Sequence, residues 1–143
     1  MRKVLIINGP NLNRLGQREP DIYGADTLDD IAARLHAQAG ALGVEIDLRQ
    51  SNHEGHLIDW LHEAADTDVH AVILNAGGFT HTSVALRDAI AAIPTPVIEV
   101  HLSNPAARES FRRRSLIGGV CKGSISGLGA DSYRLALDAA ARL

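Results

Sequence analysis

An arginine and a tyrosine lie close together in the longest polar stretch of the sequence. Residues 8–24 read NGPNLNRLGQREPDIYG, and Arg18 and Tyr23 are five positions apart within them. A phenol is a poor base at neutral pH, but a neighbouring guanidinium stabilises its ionised form. The pair therefore predicts a base that could remove a proton from carbon. The structural alternative is a solvated arginine beside a tyrosine that caps the core.

A carboxylate and an imidazole also lie near each other, at the end of the apolar run PVIEV. Glu99 and His101 flank Val100, and alternate side chains of a strand point to the same face. A carboxylate beside an imidazole fixes its tautomer and favours its protonated form, so the imidazole can act as a general acid. An ordinary ion pair is the alternative interpretation.

An amide and a histidine border a glycine turn after a third apolar run. Asn75 ends the run AVILN and precedes AGG, and His81 follows at the start of a predicted helix. Backbone N–H groups at the start of a helix can bind an anion. The alternative is that Thr80 or Thr82 simply caps this helix.

Arginine supplies most of the positive charge, with only two lysines among the fourteen basic residues. Arg108 and Arg112 are four positions apart in a predicted short helix over residues 106–113, which places both on one face. Guanidinium groups bind carboxylates through paired hydrogen bonds. We interpret Arg113 and Arg114 as surface charges.

Cofactor and metal motifs do not fit the sequence. HEGH at 53–56 lacks the spacing of a zinc site, and GLGADS at 127–132 is a broken dinucleotide fingerprint. We therefore predict no cofactor and no metal. The single cysteine, Cys121, falls in a predicted strand, so we interpret it as a buried structural thiol without a disulfide partner.

Apolar runs alternate with helical patterns along the whole chain. Strands are predicted over residues 3–8, 44–48, 71–75, 96–100 and 121–126. Helices are predicted over residues 26–43, 57–65, 81–93, 106–113 and 131–143. The first long helix has Asp26 or Thr27 as its N-cap and Gly43 as its stop.

This alternation predicts an α/β fold of the flavodoxin-like kind. Such a fold is a doubly wound, five-stranded parallel sheet in the order 2-1-3-4-5, with helices on both faces. Strands 1, 3 and 4 are neighbours in that order, and the polar segments described above follow these same strands. We therefore expect the segments to form one cleft beyond the carboxyl ends of the strands.

The composition limits the class of protein. A chain of 143 residues with 45% hydrophobic side chains suits one catalytic domain, 1–143. A net charge of −3 and a pI near 6.1 argue against nucleic acid as a partner. The apolar runs are far shorter than the ~20 residues that span a membrane. We expect no membrane contact, and the single cysteine favours the cytoplasm.

A base, an acid, amides and arginines in one cleft suit proton transfer on a small anionic, hydroxylated substrate. The segments NGPNLNRLGQREPDIYG, NAGGFTHTS and EVHLSN with RESFR closely resemble type II 3-dehydroquinate dehydratases. The resemblance implies a hydro-lyase of the shikimate pathway, and hence of aromatic amino acid biosynthesis. It implies anti elimination of water from 3-dehydroquinate to 3-dehydroshikimate through an enolate, without a cofactor. It also implies a homododecamer, a tetramer of trimers.

The resemblance also implies a role for each matching residue. Tyr23 is the base that removes the C2 proton, and Arg18 keeps it ionised. His101, with Glu99 beside it, protonates the C1 hydroxyl. Asn11 holds a water against the enolate oxygen. Substrate contacts are implied for Asn75, His81, Leu102, Ser103, Arg108, Arg112 and, from a neighbouring subunit, Asp88.

Two glycine pairs carry further expectations. Gly16 and Gly24 are the predicted hinges of a loop that closes over the substrate and excludes water. Gly118 and Gly119, in IGGVCKG at 117–123, stand where more rigid residues are expected. We expect that pair to affect local packing rather than the site.

Two other functions stay open. A type I dehydroquinase forms an imine with a lysine, but Lys3 and Lys122 both fall in predicted strands. A flavodoxin-like binding or signalling domain would not be an enzyme. A receiver needs acidic residues where this chain has NGPN and NAGG, and a flavin carrier needs more aromatic side chains than the 3% present.

Overall fold

The protein is built on one parallel β-sheet. The structure, a computed structural model, describes residues 1–17 and 19–143. Within that part of the chain the strands are β1 (Lys3–Asn8), β2 (Glu45–Gln50), β3 (Ala71–Asn75), β4 (Val97–His101) and β5 (Gly123–Ser126). They lie in the order β2-β1-β3-β4-β5, and each neighbouring pair is parallel. The predicted fold and strand order are confirmed.

Helices cover both faces of the sheet. In the described residues they are α1 (Pro20–Tyr23), α2 (Leu28–Leu42), α3 (Glu54–Asp66), α4 (Val84–Ala92) and α5 (Asp131–Ala141). One apolar core lies between the sheet and the pair α2 and α5, and a second lies between the sheet and the pair α3 and α4.

Strand β1 is buried on both faces, as its unbroken apolar sequence predicts. Val4 and Ile6 belong to the core beneath α2 and α5, whereas Leu5 and Ile7 belong to the core beneath α3 and α4. This alternation follows from the two-residue period of a strand. Because both faces of β1 are packed, its position in the sheet is fixed. The polar loop that follows Asn8 therefore begins directly at the edge of the sheet.

The ends of helix α2 agree with the sequence. Thr27 is the N-cap, and its side chain forms a reciprocal capping box with Asp30. Gly43 ends the helix with φ of 70°, a left-handed conformation that glycine adopts without steric cost.

Two predicted helices differ from the structure. The helix expected from residue 81 begins at Val84, and its N-cap is Ser83 rather than Thr80 or Thr82, because the Ser83 hydroxyl accepts from the Leu86 N–H. His81 instead ends a 3-10 turn, Gly77–His81. The prediction that His81 starts the helix containing Asp88 is therefore wrong.

The helix predicted over 106–113 is replaced by two 3-10 turns, Pro105–Ala107 and Ser110–Arg112. Arg108 between them is extended, with φ of −107° and ψ of −162°, which interrupts any helix. Arg108 and Arg112 therefore do not share a helical face. The last strand also starts later than predicted, so Cys121 precedes β5 and is only partly buried.

No helix in residues 1–17 and 19–143 combines the length and the apolar character that crossing a bilayer requires.

A buried tyrosine ties the ends of β1 and β3 together. Asn8 and Asn75 are register partners at the carboxyl ends of these strands. The Tyr133 hydroxyl, on α5, donates to Asn8 Oδ1 at 2.5 Å and accepts from Asn75 Nδ2 at 2.9 Å. Burial raises the pKa of Tyr133 above its ordinary value, so the phenol keeps the proton that it donates.

We predict that Tyr133→Phe lowers the free energy of unfolding by about 2 kcal/mol, because two buried amide groups each lose a hydrogen-bond partner. Urea denaturation, followed by the fluorescence of Trp60 at a fixed protein concentration, measures the change.

Thr80→Val is the matched control. The Thr80 hydroxyl is also buried, but it has no hydrogen-bond partner among the described residues. Its removal should leave the free energy of unfolding unchanged or raise it slightly. Equal losses in the two variants would contradict the role given to the tyrosine bridge.

Candidate active site

A polar cleft of about 130 Å³ opens beyond the carboxyl ends of β1, β3 and β4. This is the edge at which the strand order reverses, where ligands bind in open α/β sheets. The predicted site residues that line it are Asn11, Tyr23, Asn75, His81, His101, Leu102, Ser103, Arg108 and Arg112.

Two predicted site residues do not line the cleft, and a third lies outside the described residues. Glu99 lies behind His101, with only 3% of its surface exposed. Asp88 is exposed on α4, away from the cleft of its own chain. Arg18 lies outside the described residues.

The segment between β1 and α2 folds back on itself. Gly16 has φ of 86°, and a Cβ there would lie 3.0 Å from the carbonyl oxygen of Ala25. Gly24 also has a positive φ, of 87°. Such backbone angles favour glycine, and the close approach at Gly16 leaves no room for a side chain. Gly16 and Ala25 therefore lie close together, and Tyr23, just before Ala25 in the chain, reaches the cleft.

Tyr23 ends the short helix α1 in this loop and is half-buried. The Arg108 guanidinium lies over its ring, with Cζ 5.0 Å from the ring centroid. Arg108 also donates from Nη1 to the Ser103 hydroxyl at 3.2 Å. A guanidinium over an aromatic face is attractive.

Glu99 and His101 form the shortest described ionic contact in the site. His101 Nε2 lies 2.6 Å from Glu99 Oε2, and their side chains are 12% and 5% exposed. A carboxylate only accepts from an imidazole here, so Nε2 carries the proton of this hydrogen bond. The pair sits at the end of β4, where His101 reaches the cleft and Glu99 does not.

His81 lies beside His101 in the cleft. The two rings stack with centroids 6.5 Å apart and an angle of 18° between their planes. His81 Nδ1 lies 2.8 Å from the Arg114 carbonyl oxygen. Because that oxygen can only accept, Nδ1 carries the proton, and Nε2 of a neutral His81 is left as an acceptor.

Two asparagines present amide groups to the cleft. Asn75 is 4% exposed, and its Oδ1 accepts from the Gly77 N–H at 3.2 Å while Nδ2 donates to Tyr133. One amide hydrogen of Asn75 remains for a ligand. Asn11 has φ of 68°, and its N–H donates to Asn52 Oδ1 at 2.9 Å, which leaves its side chain at the cleft.

The charge of the cleft favours an anion. Arg108, Arg112, His81 and His101 line it, whereas no described lining residue is an aspartate or a glutamate. The chemistry available is proton transfer between a phenol and an imidazole, with amides and guanidiniums to hold an oxygen-rich ligand.

Sequence reasoning missed two residues that support the site. Ser115 donates to Glu99 from a loop beyond the predicted helix, and no motif marks this serine. Tyr133 holds Asn75, and its only signal in the sequence was an aromatic residue in the last helix. Gly118 lies directly against Glu99, since a Cβ there would be 3.3 Å from Oε1. Gly118 therefore adjoins the site.

The HEGH segment is arranged as an aromatic cluster. The rings of His53 and His56 lie 4.8 Å apart at an angle of 62°, and His56 Nδ1 is 2.7 Å from the Ser51 hydroxyl. In the described part of the chain no three His, Cys, Asp or Glu side chains are grouped so that they could hold a metal ion.

Comparisons with known proteins give a consistent result. The family profile described as dehydroquinase class II matches residues 2–141. The chain is 60% identical to a 3-dehydroquinate dehydratase of Halalkalibacterium halodurans and 58% identical to one of Bacillus licheniformis; each alignment covers 96% of this chain and 94% of the relative. A crystal structure of type II dehydroquinase from Propionibacterium acnes superimposes with a TM-score of 0.96 at 43% identity, covering 100% of this chain and 98% of that one.

We predict that Cys121 reacts slowly with iodoacetamide at pH 8. Burial, followed by the negative charge of Glu99, raises the pKa of its thiol to about 12, so the reactive thiolate is scarce at that pH. Mass spectrometry should show labelling about a hundredfold slower than in the urea-unfolded chain. Similar rates in the folded and unfolded protein would contradict this environment.

Proposed function

This chain belongs to the class II dehydroquinase family, and from that premise we propose that it is a hydro-lyase that converts 3-dehydroquinate to 3-dehydroshikimate. The observation that carries the proposal is the cleft itself. It brings Tyr23 and His101 to one cavity that is lined by cationic groups and by no described carboxylate. The substrate is an anion with several hydroxyls, which suits that lining.

Tyr23 is the base in this proposal. Its phenolate removes a proton from C2, next to the C3 carbonyl, and the electron pair moves into an enolate. Arg108 over the ring supports a phenolate at this position, and Arg18 is proposed to share this task. A water held by Asn11 donates to the enolate oxygen as negative charge develops there.

His101 is the acid. Its protonated imidazole gives a proton to the C1 hydroxyl, which leaves as water when the enolate collapses to the conjugated product. Glu99, 2.6 Å away, stabilises the imidazolium and fixes the ring. The proton gained by Tyr23 and the proton lost by His101 are exchanged with solvent before the next turnover.

The remaining residues hold the substrate. The backbone of Leu102 and Ser103 and the Ser103 hydroxyl are proposed to bind its carboxylate. Asn75, His81 and Arg112 bind its hydroxyl groups. Each has a fixed neighbour: Tyr133 for Asn75, the Arg114 carbonyl for His81, and the Glu109 carboxylate, 2.9 Å from Nε, for Arg112. Such support limits the movement of a binding group and lowers the entropic cost of binding.

An imine mechanism has little support in the cleft. Lys3 begins β1, whose carboxyl end at Asn8 borders the site, and five strand steps separate the two by about 16 Å. Lys122 precedes β5, and its N–H donates to the carbonyl oxygen of Val97, the first residue of β4. Neither lysine lines the cleft.

A non-enzymatic binding or signalling function is the second candidate, and no contact favours it. The strands that border the cleft end in Asn8 and Asn75, where a receiver domain needs carboxylates. Tyr23 is the only Phe, Trp or Tyr among the described lining residues, which leaves little for a flavin ring to stack on. We propose that the enzyme serves the shikimate pathway, which the relatives named 3-dehydroquinate dehydratase support.

We predict that Tyr23→Phe removes nearly all turnover and leaves the fold intact, because the ring without its hydroxyl cannot accept the C2 proton. The appearance of the conjugated enone in the ultraviolet, after addition of 3-dehydroquinate, measures the rate. Ile22→Ala is the control, since Ile22 lies on the same turn, is exposed and does not line the cleft. A Tyr23→Phe enzyme with near-wild-type kcat would exclude this base.

We further propose that Asp88 completes the site of a neighbouring subunit within a trimer, four of which form a dodecamer. Its position on α4, exposed and outside its own cleft, supports this arrangement.

Asp88→Ala should then lower activity without changing any group of its own cleft. Co-refolding Asp88→Ala with the inactive Tyr23→Phe chain at equal amounts should restore about a quarter of the sites, since a Tyr23 from one chain then meets an Asp88 from the other. A fully active monomer in light scattering, or no restoration on mixing, would contradict the shared site.

A further inference from the structure

The Glu99 carboxylate is buried, and few groups donate hydrogen bonds to it. It is 3% exposed, and His101 is its contact towards the cleft. A buried carboxylate is costly unless its oxygens accept hydrogen bonds. Apart from His101, the described residues supply one donor to it, the Ser115 hydroxyl.

Ser115 bridges both oxygens of this carboxylate. Its Oγ lies 3.0 Å from Oε2 and 3.1 Å from Oε1 of Glu99. The same oxygen accepts from the Gly118 N–H at 2.9 Å. The hydroxyl has one hydrogen, which it donates to Glu99 because an ionised carboxylate can only accept, while one of its lone pairs accepts from the backbone.

We infer that Ser115 is a positioning residue for the acid step: it locks the rotation of the Glu99 carboxylate and thereby the orientation of the His101 imidazole. The inference rests on the proposed function, since it concerns how His101 delivers its proton. A chain of hydrogen bonds runs from the Gly118 N–H through Ser115 and Glu99 to His101 Nε2. Without Ser115, Oε1 of Glu99 has no donor among the described residues.

Ser115 does not border the cleft in which we place the substrate. Ser115 and Glu99 line a second cavity, of about 390 Å³, which shares His101 with the cleft. Ser115 therefore acts on the reaction only through Glu99 and His101. Its loss should change the chemical step and leave substrate binding nearly intact.

The local backbone holds Ser115 in place independently of the site. Leu116 donates its N–H to the Thr80 carbonyl oxygen at 2.9 Å, and its own carbonyl accepts from Arg87 Nη1 at 2.6 Å. Ile117 is fully buried in the core beneath α3 and α4. The two residues that follow Ser115 are thus anchored, which helps to hold an orienting group in place.

Ser115→Ala should lower kcat by about tenfold, the scale of one hydrogen bond to a charged group, while KM for 3-dehydroquinate changes less than about twofold. Ser115→Thr keeps the hydroxyl and should retain most of kcat. Ser115→Val has the shape of threonine without the hydroxyl and should match the alanine variant. Comparison of the threonine and valine variants tests the role of the hydroxyl even if the alanine variant loses stability.

Ser124→Ala is the matched control. Ser124 is the register partner of Glu99 and lines the same second cavity, but its hydroxyl makes no hydrogen bond to the described residues. This variant should keep the wild-type kcat.

Ser115→Ala in a His101→Ala background distinguishes a positioning role from a general structural effect. If Ser115 acts through His101, Ser115→Ala costs less than about twofold there. An equal loss in both backgrounds, an unchanged kcat in Ser115→Ala, or a loss confined to KM would overturn the inference. A wild-type protein that does not convert 3-dehydroquinate would instead overturn the proposed function, so the two failures are distinguishable.

Discussion

The site depends on the pairing of β1 with β3, which sets two asparagines side by side at the edge of the sheet. The strand order reverses at this pair, so the loops that leave β1 and β3 diverge and open a crevice. Tyr133 then bridges Asn8 and Asn75 from beneath. The buried bridge fixes the floor of the cleft, and the polar loops above it need only to fold towards one another.

A second constraint is the burial of Glu99 behind His101. The buried carboxylate is tolerated because His101 and Ser115 donate hydrogen bonds to it. The proposed acid, His101, therefore lies at the end of a strand, while the proposed base, Tyr23, lies on the segment before α2, between the positive-φ glycines Gly16 and Gly24. This arrangement suits the proposed elimination, in which the acid is held in place and the loop that carries the base first admits the substrate.

The regular parts of the fold could be predicted from the sequence, and the irregular parts could not. The unbroken apolar run of β1 and the Thr27 capping box are local signals, and both appear in the structure. The path of residues 105–118 depends instead on contacts distant in sequence, such as Leu116 N–H to the Thr80 carbonyl. Such contacts replaced the predicted helix with turns and brought Ser115 to Glu99.

The candidate site could likewise be predicted only in part. Residues at strand ends, such as Asn75 and His101, could be assigned to the cleft because parallel strands end at one edge. The residues behind them, Tyr133 and Ser115, lie in segments whose packing against the strand ends cannot be predicted from local sequence patterns. A chemical motif identifies the groups that face a ligand, whereas the hydrogen bonds behind them require the folded chain.

The central claim is that Tyr23 and His101 act as separate base and acid on opposite faces of the substrate. The most direct test uses 3-dehydroquinate carrying deuterium stereospecifically at C2, with the product analysed by mass spectrometry. The account predicts that the deuterium anti to the C1 hydroxyl is lost to solvent and that the syn deuterium is retained. Loss of the syn deuterium, with retention of the anti one, would contradict it.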